Sequence, residues 1–234
     1  MFVVLKKNGT QQAYSTQKTK RFVENLMKEK PILHNIDVAK LTKAMEGGMV
    51  DKISSDEILN YFSEIAASMG TISYDYSLLA GRITALYLHT VTPPTFTAAM
   101  LSIESKLDNL IVHKIKNYDY DKHIIQSNDF QYDILGNKTL MKSYLLKNDS
   151  GEFVETPQFM LMRVSVFLND RPEDAIETYN MLSQGLYTHA SPTLFNSGLK
   201  KHQLASCFLT TIKSDSMDGI FTSIKDCALI SKSS

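Results

Sequence analysis

The sequence is poor in cysteine and has no net charge. Its 234 residues include two cysteines, Cys207 and Cys227, and 25 basic residues balance 25 acidic ones. Two cysteines do not make a disulfide scaffold, which favours a reducing, intracellular setting and predicts a cytoplasmic protein. Without net charge, no global field attracts nucleic acid or a membrane surface. Neither is therefore predicted as a partner, and any anion site must be local.

Long apolar runs and clusters of metal ligands are also missing. The apolar start Met1–Leu5 is shorter than a signal-peptide core and leads directly into Lys6 and Lys7. No apolar stretch approaches the roughly 18 residues needed to span a bilayer. The histidines are scattered singly, without an i, i+4 pair or a cysteine or carboxylate cluster at ligand spacing. The sequence therefore predicts no metal site.

The chain is predicted to open with a small β-hairpin. With 43% hydrophobic residues it can build a sizeable core, in one or two domains. Val3–Leu5 and Thr10–Tyr14 flank Asn8 and Gly9, a pattern typical of a tight hairpin. A helix capped by Ser15 or Thr16 is expected to follow, because apolar residues then recur at helical spacing.

Three further helices complete the predicted N-terminal unit. Asp37 can cap the second helix, and Gly47–Gly48 can end it. Ser54–Glu57 has the pattern of a capping box and opens the third. The fourth runs from about Tyr74 to His89 and ends before Pro93–Pro94, where a domain boundary is expected. The hairpin and four helices define a first domain, residues 1–92.

The rest of the chain is predicted to be mainly helical, so the fold class is mainly α with a small β-hairpin. Over 93–190, Pro157 suits a first helical turn and Gly185 a helix end. Charged residues interrupt the apolar faces there, as expected of surface helices. A long loop over Ser191–Lys201 should lead into a β-like run over Leu204–Ile212.

A last helix is predicted near the C-terminus. Asp215 or Ser216 can cap it, and Ile220, Ile224 and Cys227 fall on one face. Cys227 is interpreted as a structural thiol on the buried side of this helix.

The most informative stretch of the sequence lies around Cys207. A polar, turn-rich loop, His189–Gly198, is followed by Gln203–Leu209, which contains the cysteine. Such a loop can present a thiol beside hydroxyls and backbone amides that bind an anionic ligand. On its own, a cysteine next to an apolar run is more often a small buried hydrophobe, and the Ser-Pro and Asn-Ser-Gly sequences would simply mark a loop.

Several long stretches, in order, resemble the large catalytic subunit of ribonucleotide reductase, the aerobic type that works with a separate radical-generating small subunit. The stretches are Lys142–Lys147, Pro157–Val166, Ala175–Asn180, His189–Gly198, Gln203–Leu209 and Cys227–Ser233. The resemblance covers the whole chain but only the first third or so of such a subunit. It implies an N-terminal ATP-cone, a helical domain, and over 191–234 the truncated start of the catalytic α/β barrel, whose first strand would contain Cys207.

The resemblance assigns roles to residues around the cysteine. Cys207 would be a redox thiol that pairs with a second cysteine much later in the chain, and only cysteine can donate hydrogen and then close a disulfide. Ser191, Thr193 and Ser206 match positions at the substrate, the two serines holding its diphosphate together with backbone amides of the loop. His189 would orient this loop.

The resemblance also implies two kinds of effector site. Asp215, Ser216, Met217 and Lys232 match a specificity site for a deoxynucleoside triphosphate, on a helix at the interface between large subunits. For the first two of these residues, ordinary helix capping is the alternative, and both roles can hold together.

The N-terminal unit resembles the ATP-cone, which senses ATP or dATP. Lys6, Lys7, Lys18 and Ser55 match its nucleotide-binding positions; without the resemblance, hairpin lysines would be interpreted as a solvated edge. The cone pattern is broken at Gln12, Gln17, Leu59 and Thr90. A cone-like fold with weakened or lost dATP inhibition is therefore expected.

The implied activity is the reduction of ribonucleoside diphosphates to deoxyribonucleoside diphosphates by thiol and thiyl-radical chemistry, for DNA synthesis. No cofactor is expected on this chain, because the radical comes from a metal-containing small subunit. A homodimer of large subunits and thioredoxin or glutaredoxin as reductant are the other implied partners. The later catalytic residues are not in the sequence, so the 234 residues alone are expected to be inactive. The alternatives are a non-catalytic remnant that binds nucleotide or a reductase subunit, and an unrelated helical interaction module.

Overall fold

The computed structural model describes residues 2–6, 8–212 and 214–233, so Lys7 lies outside the described residues. Strands β1 (Val3–Leu5) and β2 (Gln11–Ala13) form the predicted antiparallel hairpin. Gly9 has a φ of +78° in its turn, a conformation that favours glycine. A third strand, β3 (Ile53–Ser54), pairs in parallel with β1 and was not predicted from the sequence.

Four helices follow the hairpin, as predicted. They are α1 (Thr16–Lys28), α2 (Val38–Gly47), α3 (Ser55–Ser68) and α4 (Tyr74–Val91). The Ser15 side chain caps α1, and that of Asp37 caps α2. At the start of α3, Ser54 and Glu57 form a reciprocal capping box. The cap predictions are confirmed, because the Ser15, Asp37 and Ser54 side chains each accept a hydrogen bond from the first turn of their helix, and the Glu57 side chain accepts one from the Ser54 backbone N–H.

The middle of the chain is helical, as predicted. Its helices are α5 (Phe96–Ser102), α6 (Asn109–Asn117), α7 (Ile134–Ser143), α8 (Pro157–Leu168) and α9 (Pro172–Ser183), with 3₁₀ turns at Glu104–Lys106, Asp121–His123 and Gln126–Gln131. Pro157 lies in the first turn of α8. Gly185, with a φ of +71°, follows the end of α9. Both predictions from these residues are confirmed.

Helix α4 takes part in two hydrophobic cores. Its residues up to Ala85 pack in an N-terminal core with Val4, Val23 and Leu41, whereas Leu88 belongs to the core of the following helices. The change of core therefore falls within α4, before the double proline. Gly81 lies against the chain that enters α7, and a Cβ there would be 2.1 Å from the carbonyl oxygen of Tyr132. The absence of a side chain allows this close approach.

Helix α8 lies at the centre of the second core, which is the core that Leu88 and the helices after α4 form. Every residue from Pro157 to Val166 is buried, including Gln158 and Arg163. The prediction of surface helices is therefore wrong for α8. Burial of its charge is possible because the Arg163 guanidinium forms an ion pair with Glu155, whose side chain is also fully buried.

The C-terminal part departs from the predictions in two places. Ser191–Asn196 forms a short helix, α10, where a loop was expected. Leu204–Ile212 forms no strand. A strand needs a hydrogen-bonded neighbour, and no described segment forms a ladder with this run.

The last helix, α11 (Met217–Ser233), is present as predicted. Its first turn is capped by Ser216, whose Oγ accepts a hydrogen bond from the Gly219 amide at 3.1 Å. The predicted buried face is wrong. Ile220 and Ile224 are exposed, as is the Cys227 thiol. Little of the described chain covers this helix, so its apolar face has no core to enter.

Candidate functional site

A buried arginine in the second core holds the C-terminal end of α10. The Arg163 guanidinium donates to the carbonyl oxygens of Leu194 at 3.0 Å and Ser197 at 2.5 Å. It also donates to both carboxylate oxygens of Glu155, at 2.5 and 3.1 Å. A guanidinium can satisfy four acceptors at once because its donors lie in a fixed planar fork. The C-terminal end of α10 is therefore fixed to α8.

The segment that carries Cys207 is attached to α10 by two side chains. The Thr193 hydroxyl donates to the carbonyl oxygen of Leu204 at 3.1 Å. The Asn196 amide donates to the carbonyl oxygen of Gln203 at 2.8 Å. Cys207 itself is exposed and forms no disulfide with a described residue, and the Ser206 hydroxyl lies 3.7 Å from its sulfur. Thr193 thus contacts the segment that carries Ser206 and Cys207.

Ser191 lies on the other side of α10. Its hydroxyl is 2.8 Å from the Tyr144 hydroxyl, and both residues line a cavity of about 450 Å³ together with His189. Ser206 instead lines a groove with Phe208 and Cys227. The structure therefore does not bring the two predicted diphosphate-binding serines into one cavity.

His189 has a polar atom that is unsatisfied within the described chain. Its Nε2 atom is buried without a hydrogen-bond partner there. Partial burial lowers the pKa of this imidazole, because a charged ring would lose hydration. The ring contacts that of Tyr187 edge-on at a centroid distance of 5.2 Å.

The predicted effector residues lie at opposite ends of α11. Asp215, Ser216 and Met217 are at its start, and Lys232 is in its last turn. Lys232 follows Met217 by fifteen positions of helix, which is roughly 22 Å along the axis. All four are exposed. The first three are together, whereas Lys232 is not brought to them within one chain.

A separate cavity of about 260 Å³ lies between the hairpin and helices α1 and α3. Lys6, Lys18 and Ser55 all line it, together with Gln12 and Leu59. Three of the four predicted cone residues are therefore gathered in one place; the fourth, Lys7, is outside the described residues. None of the lining residues is an acid, and Ile58, Phe22 and Phe62 make much of the wall apolar.

A buried polar network joins the two cores and was not anticipated from the sequence. Fully buried Asp129 lies 2.8 Å from His89 Nε2, and accepts a hydrogen bond from the Gln158 backbone N–H at 3.1 Å. Burial raises the pKa of the Asp129 carboxyl, and the hydrogen bond with His89 opposes that rise. Burial also raises the pKa of nearby Tyr132 to about 12. His89 was interpreted as an isolated histidine, because its partner is 40 residues away.

Two kinds of feature are absent from the described parts of the chain. No three histidine, cysteine or acidic side chains there are grouped so that they could hold one metal ion. No helix in those ranges is both long and apolar enough to cross a membrane.

Comparisons with known proteins all point in one direction. Residues 130–202 match the family described as ribonucleotide reductase, all-alpha domain. The chain is 39% identical to the ribonucleoside-diphosphate reductase large chain of Schizosaccharomyces pombe, over 98% of this chain and 30% of that protein. Identity to the large subunit of Dictyostelium discoideum is 37%, over 98% of this chain and 28% of that protein. Identity to the large subunit of Variola virus is 39%, over 99% of this chain and 32% of that protein. The chain thus spans about 30% of the length of these relatives.

Proposed function

We propose, because the chain belongs to the ribonucleoside-diphosphate reductase large-subunit family, that it acts as the N-terminal segment of a subunit that reduces ribonucleoside diphosphates to deoxyribonucleoside diphosphates. The observation that carries the proposal is the attachment of the exposed Cys207 segment to α10 by Thr193 and Asn196. A thiol held at a fixed, open position beside hydroxyl groups suits chemistry on a bound nucleotide.

The proposed step is a two-electron reduction of the ribose. Cys207 and a second thiol, in the part of the subunit that follows this chain, each supply one proton and one electron. The C2′–O bond breaks, the hydroxyl leaves as water, and the two sulfurs form a disulfide. Thioredoxin or glutaredoxin restores the dithiol in this scheme. A separate metal-containing small subunit supplies the radical that initiates the step, so this chain binds no cofactor itself.

Substrate and effectors are proposed to bind through neutral donors as well as lysines. Hydroxyl groups of Ser191 and Ser206, with backbone amides, would hold the substrate diphosphate. The two serines line different cavities here. They can meet one diphosphate only when the rest of the subunit completes the site.

A deoxynucleoside triphosphate would bind at the start of α11, through Asp215, Ser216 and Met217, with Lys232 available for phosphate. In the proposed homodimer this helix lies at the interface between large subunits. That position would account for its uncovered apolar residues. Phe221, for example, is 60% exposed.

The N-terminal cavity is proposed to bind ATP with little preference over dATP. The ammonium groups of Lys6 and Lys18 suit a triphosphate. Discrimination between ATP and dATP needs an oriented hydrogen-bond partner for the ribose. The resemblance implies an aspartate linked to dATP inhibition at position 59, but this cavity has Leu59, which cannot form such a bond. Calorimetric titration of the chain should give dissociation constants for ATP and dATP within about tenfold, or 1.4 kcal/mol. Lys18→Gln should weaken both.

Leu59→Asp is the matched variant for this titration, because it restores a carboxylate at the wall of the same cavity. It is expected to change the ratio of the two dissociation constants, whereas Lys18→Gln leaves the ratio unchanged. Tight, dATP-preferring binding by the unmodified chain would contradict the proposal of weakened dATP inhibition.

The proposed function is tested by substitution into a working relative. A chimaera in which this chain replaces the matching segment of the Schizosaccharomyces pombe large chain should reduce ribonucleoside diphosphates when supplied with a small subunit and thioredoxin. The 39% identity over that segment makes a folded product a reasonable expectation. Mixing this chain with the rest of the Schizosaccharomyces pombe large chain, supplied as a separate polypeptide, tests for the same activity without a fusion.

A non-catalytic remnant predicts a different result. The chain would fold and bind nucleotide, but neither the fusion nor the mixture would restore reduction. Nucleotide binding without any rescue of activity, in a chimaera whose circular dichroism matches that of the parent, would therefore favour the remnant over the reductase segment.

A further inference from the structure

We propose that α10 is a rigid support that positions Cys207, and that Thr193 and Asn196 are its positioning residues. The inference rests on the proposed function, because the position of Cys207 matters only if its thiol reacts. It goes beyond that function by assigning Thr193 a role toward the cysteine, through the backbone, in place of contact with substrate.

The support is fixed at its C-terminal end. Besides the two carbonyl groups held by Arg163, the Gly198 carbonyl oxygen accepts a hydrogen bond from the Asp108 amide at 2.8 Å. Gly198 has a φ of +80°, and a Cβ there would be 2.7 Å from Ile111 Cδ1. The amide of Lys200 donates to the carbonyl oxygen of Lys106 at 3.0 Å. Helix α10 therefore cannot shift without breaking the hydrogen bonds that Arg163 and the chain around Asp108 make with its C-terminal end.

Apart from the groove that Ser206 and Phe208 form with Cys227 of α11, little else holds the segment after this support. Ala205, Ser206 and Cys207 are exposed, so burial of apolar area contributes little to fixing their position. Hydrogen bonds from Thr193 and Asn196 hold two consecutive carbonyl groups, those of Leu204 and Gln203. Cys207 follows Leu204 by three residues, a span of at most about 11 Å. Two bonds on adjacent peptide groups fix both the position and the direction of the chain that enters the cysteine.

Positioning and substrate binding predict different kinetics. A lost substrate contact raises KM, whereas a misplaced thiol lowers kcat because the reacting atoms no longer meet. A misplacement of about 1 Å can cost up to about 10²-fold in rate. Thr193→Val removes the hydroxyl while keeping the shape, and Thr193→Ser keeps the hydroxyl. Asn196→Asp removes the donor at the second bond without changing the size of the side chain.

The first measurement needs no turnover and uses the 234-residue chain. With Cys227 replaced by serine, a nitroxide spin label is attached to Cys207 and its mobility is read from the electron paramagnetic resonance spectrum. Thr193→Val and Asn196→Asp are each expected to shorten the rotational correlation time of the label by about twofold or more. Thr193→Ser should match the parent. Equal spectra for Thr193→Val, Asn196→Asp and the parent would overturn the inference.

The second measurement uses the chimaeric reductase. Thr193→Val should lower kcat by about 10-fold to 10²-fold with KM unchanged, and Thr193→Ser should restore kcat. A raised KM with unchanged kcat would show that Thr193 binds substrate, which overturns the inference and leaves the proposed function intact. If the chimaera works equally well without the Cys207 thiol, the proposed function fails instead.

Discussion

Replacing Cys207 by serine is expected to abolish ribonucleotide reduction in a subunit that carries this chain, with no loss of folding. Serine matches the size of cysteine but cannot form a disulfide, so the electrons for the step have no source. Cys207 is exposed, so the substitution leaves no cavity and unpairs no buried group. Activity should fall to background, a loss of at least about 10³-fold, measured as deoxynucleoside diphosphate formed by the chimaera with thioredoxin present.

Cys227→Ser is the matched control for this experiment. Cys227 is also exposed and forms no disulfide with a described residue, and it lies on α11, outside the proposed redox pair. The control should keep both activity and thermal stability. Equal loss of activity in the two serine variants would show that the second cysteine takes part as well, and full activity of Cys207→Ser would remove this thiol from the mechanism.

The largest loss of stability is expected from Arg163→Met. Methionine fills part of the space but supplies no donor, so the carboxylate of Glu155 remains buried without its partner charge. The carbonyl groups of Leu194 and Ser197 lose their donors at the same time. Removing one partner of a buried ion pair typically costs about 3–5 kcal/mol. Urea unfolding of the chain, followed by circular dichroism, measures this change in the free energy of unfolding.

A surface ion pair provides the comparison. Arg171 forms a bridge with Asp174 at 2.6 Å, but the Arg171 side chain is 73% exposed and that of Asp174 38% exposed. Arg171→Met should change the unfolding midpoint little, because water and salt already screen that pair. Arg163→Met combined with Glu155→Leu should recover part of the lost stability, since no unpaired charge is left buried. If the two single arginine variants are equally stable, the buried pair does not hold the second core together.

The parts of the fold that depend on neighbouring residues could be predicted from the sequence. Ser15, Asp37 and the Ser54–Glu57 pair each cap a helix through atoms within three residues. A cap of this kind is complete within one turn of chain, so tertiary contacts do not alter it. The hairpin over Asn8 and Gly9 is local in the same sense.

The parts of the fold that depend on residues far away in the sequence could not be predicted in this way. The apolar, β-like run Leu204–Ile212 suggested a strand, but a strand exists only where a second one supplies its hydrogen bonds. The apolar side of α11 suggested a buried face for Cys227, but periodicity shows which residues share a face and not what covers it.

The candidate site shows the same division. Lys6, Lys18 and Ser55 were placed together only by resemblance, since spacing along the chain gives no reason for a hairpin and the start of α3 to share a cavity. The anchoring role of Arg163 was missed altogether. A lone arginine inside the apolar run Phe159–Val166 was the available clue, because a charge there must be buried and therefore paired.

The sharing of α4 between two cores has a thermodynamic consequence. Because Ala85 and Leu88 of one helix belong to different cores, neither core can melt without unwinding a helix that the other needs. The two halves should therefore lose structure in a single transition. A ligand bound near Lys18 would then stabilise the whole unit by mass action, including the distant segment around Cys207. Nucleotide concentration would in this way set the fraction of chains in which the Cys207 thiol lies in a folded environment.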